Sequence, residues 1–333
     1  MQGHKRKVFI FLMILVMIPV FFVMHKAEAN RTLKAQWIKD YIEGKDQINN
    51  KENILEIVLK DTNYTEWHDK KDKIGLNILK ADLLGDSKKE LLLTLFLAPK
   101  KSLIVVYQQE NGDYKYVDIL DEFFEIKEIQ AIPIEKRGKD LIVVREFVDQ
   151  MLGAFEKGNY IRGYLWQDGK FNMVISLIEN YVAYWNESWD QAKKPNPLWL
   201  KIEEKSIIQW ENGPYPVIKV LENQFFYQSK TANLKEMPEE EDYQLVNSKE
   251  LVQTYYWNEK YQHFLIAEGK DVKTGESIGI IEDLSLSPFQ LAGFEKNQYR
   301  IKRKNGKIEF VPKSQIIRTD KNNPLRKSED FVI

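Results

Sequence analysis

The sequence predicts a mainly β protein of repeated antiparallel hairpins, preceded by an apolar N-terminal segment and a short helical stretch. Tight-turn dipeptides recur along the chain, each between runs in which apolar and polar residues alternate. The spacing between these turns is nearly regular, which is typical of repeat architectures. The residues are 43% hydrophobic and 12% aromatic, a composition that favours a packed core over disorder.

Residues 1–29 are predicted to be a signal peptide or an N-terminal membrane anchor. Three basic residues, 5–7, precede the uncharged apolar run 8–24. Such positive charges stay on the cytoplasmic side, so the rest of the chain is expected outside the cytoplasm. Ala27 and Ala29 have the small-residue spacing that signal peptidase accepts, which predicts cleavage after Ala29.

The apolar run leaves two outcomes open. It has 17 residues, longer than the usual core of a signal peptide and at the lower edge for a membrane-spanning helix. If the segment is cleaved, the protein is secreted. If it is kept, the protein is a single-pass protein of the cell membrane with an extracytoplasmic C-terminal domain, and the N-terminal helix contacts the membrane.

Composition excludes some functional classes. The chain has 49 Lys and Arg against 50 Asp and Glu, a formal net charge of −1. Nucleic-acid binding needs concentrated positive charge, so no nucleic-acid partner is expected. The chain has no cysteine, which excludes thiolate metal sites and a cysteine nucleophile.

Residues 30–72 are predicted to form a helical spacer between the N-terminal segment and the main domain. Leu33, Trp37 and Tyr41 recur every four residues, the spacing of one helix face, and Gly44 ends the pattern. The β-rich repeat domain is predicted to span residues 73–333.

Five hairpins are predicted in the β-rich domain. Four of them turn on Asn-Gly or Asp-Gly, because a type I′ turn needs positive φ at both central residues. The fifth, at residues 258–260, has no glycine. In chain order the turns are Asn111-Gly112, Asp168-Gly169, Asn212-Gly213, 258–260 and Asn305-Gly306.

The spacing of the turns predicts a β-propeller-like fold. Counted at residues 112, 169, 213, 259 and 306, the turns are 57, 44, 46 and 47 residues apart. One hairpin in about fifty residues is typical of four-stranded propeller blades. An irregular β-sandwich or two small β domains are the alternatives.

A second pattern, a strand, a polar turn and a buried strand, occurs at residues 78–96 and again at 129–144. At residues 81–92 the sequence resembles the FG-GAP (VCBS-type) propeller repeat. In that family the turn reads roughly Asp-x-Asp-Gly-Asp-Gly-x-x-Glu before an apolar strand. The resemblance covers residues 75–180 and implies a propeller.

The resemblance also implies a calcium site, because the family's loop often binds calcium through carboxylates. The matching residues here are Asp82, Asp86 and Glu90. Leu84 replaces a third ligand and Ser87 a glycine, so backbone and water would have to complete the six to eight oxygens that calcium needs. The alternative is a metal-free polar turn, and no other cofactor is expected.

Aromatic residues are concentrated at residues 181–199, and Trp185, Trp189 and Trp199 are the candidate ligand-binding residues. An exposed aromatic cluster can stack on sugar rings or anchor a peptide. The alternative is a short helix from which Trp185 and Trp189, four residues apart, face the core.

The sequence contains no nucleophile elbow, zinc-binding helix or phosphate loop, and no catalytic residue is predicted. We therefore expect a non-enzymatic binding or scaffold protein that recognises a protein or a glycan outside the cell. The alternative is an exported hydrolase that acts on cell-wall polysaccharide or peptide through a carboxylate pair. Two carboxyl groups facing each other across an aromatic-lined cleft would favour that alternative.

Overall fold

A computed structural model of the chain describes residues 32–98, 100–151, 155–190, 194–211 and 213–319. The fold is mainly β, as predicted: 57% of the residues lie in strands, and the sheets are antiparallel. The helices within these ranges are too short or too polar to cross a membrane.

The predicted export segment, residues 1–29 with Ala27 and Ala29, lies outside the described residues. Secretion and membrane anchoring both stay predictions from the charge and apolar pattern of that segment.

The chain divides into two compact units, one up to Phe123 and one from Phe124 onward. The first unit has a five-stranded sheet in the order β1-β5-β4-β3-β2. Its strands are β1 (Thr32–Leu33), β2 (Gly75–Ala81), β3 (Glu90–Ala98), β4 (Lys101–Glu110) and β5 (Asp113–Phe123). Its helices are α1 (Ala35–Ile42) and α2 (Gln47–Asp61), and a 3₁₀ segment (Thr65–Lys73) leads into β2.

The helices of the first unit pack on one face of its sheet. Ile54 and Val58 of α2 are fully buried in one cluster with Leu91 and Leu93, alternate residues of β3. Residues four apart share a helix face and residues two apart share a sheet face, which explains the contact. The helical stretch predicted at residues 30–72 therefore shares a hydrophobic core with the strands after it.

The second unit contains an eight-stranded meander in the order β13-β12-β11-β10-β9-β8-β7-β6. Its strands are β6 (Glu125–Ile134), β7 (Lys139–Asp149), β8 (Glu156–Gln167), β9 (Lys170–Asn186), β10 (Trp199–Glu211), β11 (Val217–Ser229), β12 (Tyr243–Asn258) and β13 (His263–Leu265). A four-residue helix, α3 (Glu187–Asp190), follows β9.

The same unit contains a second sheet, of five strands, in the order β17-β16-β15-β14-β18. Its strands are β14 (Ala267–Asp271), β15 (Ser277–Asp283), β16 (Gln298–Lys302), β17 (Ile308–Pro312) and β18 (Ile316–Arg318). Two 3₁₀ turns, Leu284–Leu286 and Pro288–Ala292, lie between β15 and β16.

The five predicted hairpins are present as antiparallel pairs: β4–β5, β8–β9, β10–β11, β12–β13 and β16–β17. The predicted type I′ turn is not formed at two of the four positions, because Gly213 and Asn305 lie outside the positive-φ region. The turn chemistry is visible at Asp168 and Gly169, whose φ angles are 52° and 78°. Asn111 and Gly112 show the same left-handed pair, with φ of 51° and 90°.

The four-stranded blades of a propeller are not seen in the part of the chain that the structure describes. Three of the five hairpins belong to the one eight-stranded meander. Among the described residues, two long strands, β9 and β10, lie between the second and the third turn, and two more, β11 and β12, lie in the next interval. The predicted period was a number of residues and did not fix the number of strands. Two long strands occupy the same length of chain as the four short strands of a propeller blade.

Candidate functional site

The structure separates the three predicted tryptophans. Trp199 opens β10 opposite Asn186, while Trp185 of β9 lies opposite Leu200. A shift of one residue along paired strands turns a side chain to the other face of the sheet. Trp185 therefore packs away from Trp199, with its ring centroid 6.0 Å from that of Phe289.

Trp189 and Trp199 do come together. Their ring centroids are 5.3 Å apart at an interplanar angle of 80°, and Phe155 packs 5.1 Å from Trp189 and 6.0 Å from Trp199. Trp199 is 3% exposed, and its indole Nε1–H donates to the carbonyl of Leu234 at 3.1 Å. Trp189 is 53% exposed, so a solvent-facing indole rests on a buried, hydrogen-bonded one.

These rings line a groove with a volume of about 500 Å³, called the aromatic groove below. Three short polar side chains lie along it: Asn186, Ser188 and Asn233. Asn186 is buried, and its Oδ1 accepts the backbone N–H of Ser188 at 3.0 Å, which fixes the start of α3. The remaining lining residues are Pro197, Leu234, Lys235, Glu236 and Met237.

The predicted calcium loop is closed by its own hydrogen bonds. The Asp82 carboxylate accepts the backbone N–H of Gly85 at 2.8 Å. The Asp86 carboxylate accepts the backbone N–H of Lys88 at 3.0 Å. Both acids therefore brace the turn between β2 and β3.

Glu90, the first residue of β3, is fully buried and also accepts hydrogen bonds from the backbone of this turn. Its Oε2 accepts the backbone N–H groups of Leu83 and Leu84 at 2.8 and 3.1 Å. Burial, together with the charges of Asp86 and Asp82, raises the pKa of Glu90. Across the described ranges no three His, Cys, Asp or Glu side chains are grouped so as to hold a metal ion, and the calcium site stays a prediction from the resemblance.

The sequence did not reveal a second site, which lies in the second unit. Glu204 of β10 pairs directly with Gln224 of β11, and Glu222 lies two residues before Gln224. Residues two apart on a strand share a face, so all three side chains project from the same side of the meander. Their exposures are 4%, 7% and 1% for Glu204, Glu222 and Gln224.

The amide of Gln224 joins the two carboxyl groups. Its Nε2 lies 3.0 Å from Glu204 Oε2, 3.5 Å from Glu222 Oε2 and 2.9 Å from the carbonyl of Leu286. Gln253 donates to the other oxygen of Glu222 at 2.6 Å. Among these polar groups, Gln224 Oε1 is buried and has no partner.

Burial sets the charge state of this pair. Burial, and next the neighbouring Glu222 charge, raise the pKa of Glu204 to about 8. Burial likewise raises the pKa of Glu222 to about 7, although the hydrogen bond from Gln253 opposes the shift. At neutral pH the pair therefore holds a proton, since two buried carboxylates this close disfavour double ionisation.

Glu204, Glu222 and Gln224 line a cavity of about 240 Å³, called the acidic pocket below. Glu282 of β15 also lines it, half-exposed, with the guanidinium of Arg300 3.7 Å away on β16. The apolar part of the lining is Met173, Ile175, Leu177, Ile178, Val220, Phe264 and Ile281.

His263 lines the acidic pocket as well, but it carries no charge there. Its Nδ1 is 2.8 Å from the carbonyl of Phe264, so Nδ1 is the protonated nitrogen of the ring. Burial lowers the pKa of His263 to about 3, and Lys302 and Arg300 act in the same direction. The ring is therefore neutral at physiological pH.

A sequence signal for the acidic pocket exists in hindsight. Glu204 alternates in phase with Ile202, and Glu222 with Val220, and both apolar residues are buried. A polar residue in the buried phase of a strand is unusual, because an acid there needs partners or a shifted pKa.

Comparisons with known protein families, with curated proteins and with solved structures return no match for this chain. The resemblance to the FG-GAP repeat accordingly stays a prediction from a single loop. The aromatic groove and the acidic pocket are therefore interpreted from their own geometry.

Proposed function

We propose that this protein is an extracytoplasmic, non-enzymatic binding protein that holds a glycan in the aromatic groove. One observation carries the proposal: Trp189 presents an exposed indole that is supported from beneath by Phe155 and Trp199. The location outside the cytoplasm is part of the proposal and is supported by the basic and apolar pattern of residues 1–29.

The support under Trp189 makes it a rigid platform. Trp199 is fixed by its hydrogen bond to Leu234, and Phe155 touches both indoles. Ordering a free side chain costs about 0.5–1.5 kcal/mol on binding, and a platform that is already held avoids most of that loss. An exposed indole held in this way is in contact with water in the free protein, and a flat apolar surface that covers the ring removes this apolar area from water, which favours binding.

The polar residues favour a sugar over an apolar peptide side chain. A pyranose has apolar C–H faces and hydroxyl groups around its rim. The aromatic groove offers ring surface from Trp189 together with short hydrogen-bonding side chains from Asn186, Ser188 and Asn233. An apolar peptide side chain would cover those polar groups without replacing their bonds to water, a loss of about 1–3 kcal/mol for each.

The hydrolase alternative draws its support from the acidic pocket. Glu204, with its pKa raised to about 8, has the protonation expected of a general acid. Glu204 and Glu222, however, are side by side on neighbouring strands and share one amide, whereas a glycosidase pair flanks the bond it cleaves. A cavity of about 240 Å³ is also smaller than the usual pocket for a drug-sized ligand, and a polymer needs an open cleft.

A glycan array tests the proposal. The full chain is screened in parallel with Trp189→Ala and with Phe310→Ala, a matched control that removes an aromatic ring of similar exposure (59%) on β17. We expect wild type and Phe310→Ala to bind the same glycans, and Trp189→Ala to bind them at least roughly tenfold more weakly. Absence of any bound glycan, or equal binding by Trp189→Ala, would overturn the proposal.

A further inference from the structure

We propose that the acidic pocket binds a primary alkylammonium group, supplied by a small aliphatic diamine or by a lysine side chain. This inference is independent of the glycan proposal, because it rests on a different set of residues. Four features of the pocket carry it.

The first feature is a surplus of acceptors around one point. Three oxygen atoms, from Glu204, Glu222 and the carbonyl of Leu286, surround the Nε2 atom of Gln224 within 3.5 Å. An amide nitrogen has two hydrogens, so it cannot satisfy all three acceptors at once. An ammonium group that enters the pocket beside the amide brings three donors and a full charge, and it can bond the acceptor capacity that the amide leaves unused.

The second feature is the other end of the same amide. Gln224 is 1% exposed and lines the pocket, yet its Oε1 has no hydrogen-bond partner. A buried carbonyl oxygen without a partner loses about 1–3 kcal/mol relative to one that is satisfied. A donor that enters the pocket would remove this loss.

The third feature is the balance of charge. Glu204, Glu222, Glu282 and Asp283 contribute four carboxyl groups; Asp283 is paired with Lys313, and Arg300 is the cation among the lining residues. Arg300 lies 3.7 Å from Glu282, at the half-exposed side, and His263 is neutral. The buried end of the pocket thus has acidic groups and no resident cation among its described lining residues.

The fourth feature is the shape and polarity of the remaining wall. Val220, Ile175 and Phe264 are buried apolar residues of the lining, and Met173 and Ile281 extend this surface. An aliphatic chain would place its methylene groups against this wall, at about 0.8 kcal/mol for each one removed from water. A volume of about 240 Å³ accommodates a short chain of this kind.

A divalent cation fits the same residues less well. Calcium takes six to eight oxygen ligands, whereas no three metal-ligating side chains in the described part of the second unit are grouped to hold an ion. The apolar wall would also remain without a partner.

Isothermal titration of the full chain tests the inference. The probes are 1,4-diaminobutane, Nα-acetyl-lysine N-methylamide, calcium chloride and the uncharged 1,4-butanediol. We expect at least one amine to bind and the diol not to bind. Binding of the diamine alone identifies a free amine, and binding of the lysine derivative identifies a side chain of a peptide; both results support the shared chemistry.

Variants locate the binding. Glu204→Gln and Glu222→Gln keep the shape of the side chain and remove its charge, and we expect each to weaken amine binding at least tenfold. Glu250→Gln, an exposed acid on β12, is the matched control and should bind as wild type does. Thermal unfolding of each variant establishes that it is folded.

The inference is overturned if neither amine binds, if calcium binds in place of the amines, or if the diol binds as well as the diamine. It is overturned equally if folded Glu204→Gln and Glu222→Gln both bind the amine as tightly as wild type.

Discussion

The indole of Trp189 meets the indole of Trp199 edge to face, with ring centroids 5.3 Å apart, and only the first of the two is open to solvent. The buried ring is tied to the carbonyl of Leu234, so the orientation of the exposed ring depends on a hydrogen bond that it does not itself make. Trp189 is thus the exposed aromatic contact residue of the aromatic groove, and Trp199 and Phe155 position it.

Trp199→Phe should therefore weaken both folding and binding. The substitution removes the indole N–H, leaves the Leu234 carbonyl without its donor and creates a gap beside Trp189. We expect the free energy of unfolding, measured by urea titration, to fall by about 1–3 kcal/mol. Glycan binding should weaken in the same variant, although Trp189 is intact. An unchanged free energy of unfolding would show that the hydrogen bond does not hold the ring.

The acidic pocket should make stability depend on pH in an unusual direction. The folded-state pKa values of Glu204 and Glu222, about 8 and about 7, are above the ordinary carboxyl value. Above pH 4.5 the unfolded chain releases these protons while the folded chain keeps them. The stabilisation from the two neutral acids is therefore complete at lower pH and declines as pH rises through 7 and 8.

The double variant Glu204→Gln and Glu222→Gln should remove that decline. We expect it to gain about 2 kcal/mol or more in stability over wild type at pH 8.5, and much less at pH 5, measured by urea unfolding at both values. Parallel pH profiles for the two proteins would show that the buried pair does not titrate as described.

A partly buried ionic centre stabilises the second sheet of the second unit. The guanidinium of Arg303 lies 2.8 Å from Asp271 and 2.7 Å from Glu276, and it also pairs with Glu309. Arg303→Met should destabilise the protein by about 1–3 kcal/mol, because the buried carboxylate of Asp271 and the part-exposed ones of Glu276 and Glu309 then lose their counter-charge. Lys304→Met, at the exposed neighbouring position, is the control and should change stability by less than about 0.5 kcal/mol in the same urea titration.

The same centre predicts a loss of stability in acid. Its guanidinium lowers the pKa of Asp271 below the ordinary value of an aspartate, and hydrogen bonds from Lys307 and Arg303 lower the pKa of Glu309. This stabilisation is present above the ordinary carboxyl pKa and is lost as pH falls through the folded values. Between pH 5 and pH 2, Arg303→Met should lose less stability than wild type; an equal loss would contradict the assignment.

The hairpin turn at Asp168-Gly169 provides a conformational test. Gly169 has φ of 78°, and a Cβ added there would meet nothing within 4 Å. Gly169→Ala therefore acts through the backbone conformation alone. We expect it to lower the free energy of unfolding by about 1–2 kcal/mol. Gly213 lies in the β10–β11 loop and outside the positive φ region, so Gly213→Ala should lower the free energy of unfolding by less. Equal thermal stability of the two variants would argue against a type I′ turn at residue 169.

The hairpins could be predicted because their determinants are local. Asn111-Gly112 and Asp168-Gly169 fix a turn by themselves, whatever the sheet around them. The number of strands between two turns is set by strand length, and β9, at 17 residues, fills an interval that could equally hold shorter strands. The spacing of the turns therefore does not determine how the hairpins assemble into sheets.

The aromatic groove was partly predictable and the acidic pocket was not. Composition singled out residues 181–199, but strand register decides that Trp199 joins Trp189 while Trp185 turns away. The acidic pocket draws Glu204 and Glu282 from strands of two different sheets. No local pattern links such residues, because only the pairing of distant strands brings them to one cavity.

The position of the bound glycan tests the central claim most directly. The chain has eight tryptophans, and each indole N–H gives its own signal in a nitrogen–proton correlation spectrum of the isotope-labelled protein. During titration with the glycan that the array selects, we predict that the signal of Trp189, assigned through its loss in Trp189→Phe, shifts progressively. The signals of Trp210 and Trp257, which pack on Phe264 outside the aromatic groove, should stay fixed. A bound glycan that shifts other indoles and leaves Trp189 unchanged would contradict the account.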